Sequence, residues 1–264
     1  MNTKPTDLLS LASFSIEVHK ARESAGASAA SRAAEILRCA LRERGEARVI
    51  VASAPSQDEL LSGLASASGI DWGQITIFHM DEYEGLPESH PATFRAYQRR
   101  HFLSKITPRA FHAIGGESAD LVAECARYAA LLAEAPIDLV CMGIGENGHI
   151  AFNDPPVANF SDPQDAKVVE LDEDCRRQQV NDGCFQDIVS VPKRAITLTC
   201  PALMRAAHAV CIVPGARKAR AVRDAILGPV SHACPASILR AHPDARIYLD
   251  AGSASGLGNF LRPC

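Results

Sequence analysis

The amino-acid sequence predicts an α/β fold: a mostly parallel, open sheet with helices on both faces. Three observations lead there. Short apolar runs rich in β-branched residues recur along the chain, periodic helix-like stretches separate them, and several runs stop abruptly in polar turns. A strand covered on both faces reads as a continuous apolar run. Strands that alternate with helices need crossover connections, and crossovers give parallel pairing.

The elements follow in chain order. An Ala-rich periodic stretch at 18–44 reads as a helix ending near Gly45. Residues 47–54 read as a buried strand, 57–68 as a helix and 75–80 as a second strand. A helix at 118–134 leads to a strand at 137–142, and further strands are expected at 195–200, 208–214 and 246–250. The helix at 217–227 opens after Pro214-Gly215 and stops at Gly228-Pro229, a pair of boundary signals. No repeat or compositional shift marks a linker, so residues 1–264 read as a single α/β domain. Residues 155–191 hold Pro, Gly, Asn and Asp with little periodicity; a lid over a binding site and an elaborate surface connection both fit.

Composition narrows the function classes. At 47% hydrophobic and 22% charged the chain is globular rather than disordered. The net charge is −4 and no Lys/Arg block forms a nucleic-acid footprint, so an anionic ligand must be captured by a local site. The nine cysteines are odd in number and include no Cys-x-x-Cys pair, which points to buried reduced thiols rather than disulfides or a zinc site. The N-terminal stretch does not read as a signal peptide, and no run approaches the ~18 apolar residues of a membrane span, so a cytoplasmic protein is expected.

In open α/β sheets ligands bind beyond the carboxyl ends of the strands. Three such ends are polar here. The first is His79-Met80-Asp81-Glu82-Tyr83-Glu84-Gly85. An acidic pair there serves as a turn or cap, or supplies a general base. The second runs from Gly143 to Pro155. Its Gly-x-Gly-x-x-Gly spacing matches a dinucleotide fingerprint, but the run follows a late strand and does not continue as a helix, so the glycines better suit close backbone approach to a small ligand. His149 follows that turn and Asp154 lies five residues on, which fits either a structural histidine or an acid–base group oriented by a carboxylate. The third places Arg217 and Lys218 at a helix start, where cations oppose the helix dipole but, with free backbone N–H groups, suit a phosphate.

Together these segments resemble the glucosamine-6-phosphate deaminase/isomerase family. Met80-Asp81-Glu82-Tyr83 with Gly85-Leu86 is similar to one family signature. Gly143 to Pro155, with its Gly148-His149-Ile150 and Phe152-Asn153, is similar to a second, and Val213–Val222 to a late Gly-x-x-Lys-Ala segment. The resemblance covers about residues 47 to 250. It implies a Rossmann-like fold of the sugar-phosphate isomerase type, shared with 6-phosphogluconolactonases, whose second motif differs. It also implies a hydrolase of amino-sugar metabolism that converts glucosamine 6-phosphate and water to fructose 6-phosphate and ammonia. Asp81 would move the proton between C1 and C2, His149 would open the ring, and Asp154 would orient His149 beside Asn147. Ser53, Ser56, Glu82, Gly145, Gly148 and Lys218 would bind the sugar and its phosphate. No metal or organic cofactor is implied. The expected partner is a small-molecule phosphosugar, with neither nucleic acid nor membrane, and a homo-oligomer is left open.

The sequence departs from the family pattern at three points. Asn147 stands where some members carry Asp, and Asp154 where Glu is usual. The stretch Ala52 to Gln57 lacks the family's glycines, and Pro55 removes one N–H from a phosphate cradle. Arg176 and Arg177 are the candidates for a lid arginine. A non-catalytic sugar-phosphate sensor, or an isomerase or lactonase for another phosphosugar, are the alternative readings.

Overall fold

The structure is a computed structural model that describes residues 7–11 and 14–261. The N-terminal stretch weighed as a signal peptide and Cys264 therefore lie partly or wholly outside the described residues. The elements are β1 (Asp7–Leu11), β2 (Phe14–His19), α1 (Arg22–Arg44), β3 (Ala47–Val51), α2 (Asp58–Ala65), β4 (Ile75–His79), β5 (Asp81–Tyr83), α3 (Phe94–His101), β6 (Ala110–His112) and α4 (Leu121–Ala133). They continue as β7 (Leu139–Met142), β8 (Ala166–Glu170), α5 (Glu173–Asn181), β9 (Arg194–Leu198), α6 (Cys200–Met204), β10 (His208–Val213), α7 (Ala219–Leu227) and β11 (Ala245–Asp250).

The main sheet runs β1-β2-β11-β10-β7-β3-β4-β6, with every pairing parallel except the edge pair β1–β2. Its central strands are largely apolar because successive side chains feed opposite faces. Val49, Val51, Ile75, Ile77, Leu139, Cys141, Val210, Ile212 and Tyr248 face the core under α1 and α2. Ile50, Phe78, Val140, Met142, Cys211 and Ile247 face the core under α4, α6 and α7. Helices on both faces are thus what the continuous apolar runs demand. Among the described residues no helix is long and apolar enough to cross a membrane.

Three expectations change. The run at 195–200 forms β9, but β9 leaves the main sheet and pairs antiparallel with β5 and β8 in a second, three-stranded sheet. Its own apolar layer, with Tyr83, Phe94, Phe152 and Ala195, gives it a core apart from the main one. The stretch 155–191, read as irregular, contains β8 and α5. The helix expected from residue 18 begins at Arg22, because Phe14, Ile16 and Val18 alternate along β2 into the core.

The strand order changes direction between β3 and β7: β3 leads outward to β4 and β6, β7 to β10 and β11. Such a switch point opens a crevice at the carboxyl ends of the strands. The loops after β3, β4, β7 and β10 meet there.

Candidate active site

The loop after β7 is folded tightly around His149. The amide of Gly145 donates to the His149 carbonyl at 2.9 Å, and the amide of Gly148 to the Gly145 carbonyl at 3.0 Å. Gly148 has φ +87° and packs on Cys234, so a side chain there is excluded twice over. A Cβ on Gly145 would fall 2.2–2.4 Å from three atoms of the His149 ring. Gly145→Ala is therefore expected to leave the fold standing but push the imidazole aside, lowering turnover by roughly 100-fold, the cost of an ångström-scale misplacement. Steady-state kinetics beside a thermal melt checks this. Ala151 is the one non-glycine residue with positive φ among the described residues, at +47°. The Asn153 amide holds that turn by donating to the carbonyls of Ile150 and Leu198 at 2.9 and 2.8 Å.

His149 is oriented from behind. Its Nδ1 lies 2.9 Å from Asp154 Oδ1, although the ring is turned so that the contact is not a well-aligned hydrogen bond. Asn147 Nδ2 donates to the same oxygen at 3.0 Å and to Asp172 at 3.2 Å, while the Asn147 side-chain oxygen accepts from the His149 amide. The Asp172 amide donates to Asp154 Oδ2 at 3.1 Å. Burial works to raise the Asp154 carboxyl, but the His149 charge and these hydrogen bonds outweigh it and hold the group below its ordinary value. Asp154 and Asn147 thus stand behind the imidazole, while His149 itself lines the crevice.

Asp81, the first residue of β5, also lines the crevice, and its carboxylate has no hydrogen-bond partner among the described residues. Burial, and after it the charge of Glu82, push that carboxyl well above its usual range. Glu82 does something else. Strand alternation turns it away from Asp81 into the core, where its oxygens accept the backbone amides of Tyr83, Phe94 and Arg95, each at 3.0 Å. It closes the start of α3 and meets Arg95 Nε at 3.4 Å, so the structure does not bring this expected sugar ligand to the crevice. Burial pushes the Glu82 carboxyl up to about 7 against those amides and Arg95. Gly148 does not line the crevice either.

Ser53, Ser56 and Gln57 line the side below β3. Ser53 Oγ accepts from Gln98 at 2.8 Å and donates to the Phe94 carbonyl at 3.4 Å, a long bond that a ligand can displace. Lys218, in the 3₁₀ turn Ala216–Lys218 before α7, is the only lysine or arginine lining the crevice among the described residues, and it forms no ion pair there. Burial holds its ammonium below the ordinary lysine value. Arg217 turns outward and joins Glu146 at 3.1 Å to Asp182 at 2.8 Å. Neither lid-arginine candidate reaches the crevice. Arg176 binds the carbonyls of Ile188 and Val191, and Arg177 pairs with Glu173 on its own helix. The next two residues on α5, Gln178 and Gln179, line it instead. Sequence reasoning missed both, as it missed Gln57. The only signal was a pair of neutral amides in an otherwise charged stretch.

Comparisons with known proteins agree with this fold. A family model described as glucosamine-6-phosphate isomerases/6-phosphogluconolactonase matches residues 20–248. A glucosamine-6-phosphate deaminase of Pseudarthrobacter chlorophenolicus is 36% identical over 230 residues, 85% of this chain and 87% of that protein. Another, of Listeria welshimeri, is 35% identical over 211 residues, 80% of this chain and 88% of that one. Among solved structures, a monomeric glucosamine-6-phosphate deaminase superposes with TM-score 0.84 at 29% identity, covering 91% of this chain and 99% of its own. A 6-phosphogluconolactonase from Shewanella baltica reaches 0.72 at 20% identity over 89% and 96%, a likeness of fold.

Proposed function

From the premise that this chain belongs to the glucosamine-6-phosphate isomerase/6-phosphogluconolactonase family, we propose that it is an amino-sugar-phosphate deaminase, converting glucosamine 6-phosphate and water to fructose 6-phosphate and ammonia. The observation that carries the proposal is one crevice faced by the unpartnered carboxylate of Asp81, by His149 and by the ammonium of Lys218. His149, backed by Asp154, transfers a proton at the ring oxygen as the sugar opens. Asp81 then carries a proton between C1 and C2, and water displaces the C2 amine. Lys218, with Ser53 and Ser56, holds the phosphate, and α5 forms the lid, presenting Gln178 and Gln179 to the substrate.

Ammonia release from glucosamine 6-phosphate by the purified chain tests the reading, with hydrolysis of 6-phosphogluconolactone as the competing arm. Lactone hydrolysis without ammonia overturns it. Lys218→Met is expected to raise KM roughly 10–150-fold with a smaller change in kcat, the loss of one charge-assisted hydrogen bond of about 1.5–3 kcal/mol.

A second reading rests on Lys218 being the only lysine or arginine in the crevice among the described residues: the same chemistry on an amino sugar with less negative charge. Unphosphorylated glucosamine turning over as well as its 6-phosphate would favour it.

A further inference from the structure

Behind the imidazole, α5 brings a third group to the His149–Asp154 pair. A ring nitrogen of His149, a carboxylate oxygen of Asp154 and the Sγ of Cys175 all lie within 4.8 Å of one another, and all three residues are buried. His149, 7% exposed, meets Asp154 Oδ1 from Nδ1 at 2.9 Å in a contact that is not a well-aligned hydrogen bond, so an ion held by the same donors can take its place. Cys175 is a free thiol at the inner face of α5, almost wholly buried, where it joins the apolar layer of Tyr83, Phe152 and Val169 and meets the Asp154 carboxylate.

We infer that His149, Asp154 and Cys175 form a binding site for a borderline-soft divalent metal ion of the zinc or cobalt class, and that its occupation switches the crevice off. Imidazole, thiolate and a single carboxylate oxygen form a tetrahedral donor set for zinc, with water entering from the crevice as the fourth ligand. Calcium and magnesium need oxygen shells that these residues do not supply. Bonds of ~2.0–2.3 Å set ligands roughly 3–4 Å apart around a tetrahedral ion, so a pair at the 4.8 Å limit has to close by roughly 1–2 Å while His149 Nδ1 and Asp154 Oδ1, 2.9 Å apart, part slightly. On binding, the Cys175 thiol gives its proton to solvent as the sulfur–metal bond forms, with no change of oxidation state. The metal then occupies the space between His149 and Asp154. The imidazole loses the carboxylate that orients it, and proton transfer at the substrate stops. The ion is an inhibitor of this arrangement rather than its cofactor.

The test is cobalt(II) titration of the chelator-treated full chain under anaerobic conditions, watching for the thiolate-to-cobalt charge-transfer band and the visible bands of a tetrahedral ion. Both should appear in the parent protein. Cys175→Ser and, independently, His149→Gln should each weaken cobalt binding by at least the roughly 10–100-fold that even outer-shell changes cost a metal site. Cys39→Ser, at a half-exposed thiol far along the chain on α1, should leave the bands unchanged. Absence of a charge-transfer band in the parent, or its persistence in Cys175→Ser, overturns the site. The spectra stand whether or not the chain releases ammonia. Where it does, zinc(II) should inhibit the parent reversibly by chelator and spare Cys175→Ser, and equal inhibition of both would overturn the switch.

Discussion

Replacing Asp81 with Asn is expected to lower ammonia release by at least ~10²–10⁴-fold, the contribution of a positioned acid–base group, while the protein stays folded. Asn keeps the shape of the side chain and removes only its ability to take a proton. The stability side follows from the same burial that lifts this carboxyl above its usual range. An acid whose pKa is higher in the folded than in the unfolded chain binds more protons when folded, so stability falls as pH rises from the ordinary carboxylate value through the raised one. The Asn variant lacks that loss. Its melting temperature should match the parent's in acid and equal or exceed it at neutral pH. The acid limb of the parent's pH–rate profile should likewise lie above the ordinary aspartate range. Near-parental turnover in Asp81→Asn would remove Asp81 from the chemistry.

Glu82→Ala should cost about 3–5 kcal/mol of stability, read as a drop in the urea midpoint, because it strips one partner from a buried charge and its hydrogen bonds. Glu82 is wholly buried. Without it the amides of Phe94 and Arg95 at the start of α3 lose their acceptor, and the Arg95 guanidinium keeps Glu117 and a long bond to the Leu86 carbonyl. Thr93, which accepts from the Ala96 amide, still caps the helix but cannot reach those two groups. Glu82→Gln retains an oxygen and should lose about 1–3 kcal/mol. A Glu82→Ala protein as stable as its parent but with raised KM would instead return Glu82 to the substrate, where sequence resemblance placed it.

That contrast marks the limit of what residues alone reveal. Asp81 and Glu82 are adjacent, acidic and in one signature; only the alternation of β5 sends one to the crevice and the other beneath α3. Five main-sheet strands, β3, β4, β7, β10 and β11, were legible because burial on two faces leaves an apolar run, as in β3 and β10, whereas β1, β2 and β6 were not. β5 was not, since Asp-Glu-Tyr has no apolar run to read. Nor was the membership of β9, which is as apolar as a main-sheet strand but pairs elsewhere. α5 hid in a charged stretch whose buried residues are Cys175, Gln178 and Gln179, so its inward face carries no hydrophobic stripe. His149 and Asp154 were legible as a pair because one short loop contains both. Their contact with Cys175 depends on a helix from a different part of the chain, and nothing local encodes it.

The second sheet has a consequence for when the protein becomes competent. Asp81 is held in place by pairing with Thr197, and the loop carrying His149 is pinned from the same strand, Phe152 to Thr197 and Asn153 to Leu198. As the chain leaves the ribosome, the segments bearing both groups emerge long before β9 does. Until β9 arrives, neither has a fixed position, and the long sequence separation makes that closure a late event. On the proposed function, a nascent or truncated chain that stops short of β9 is therefore expected to be inert.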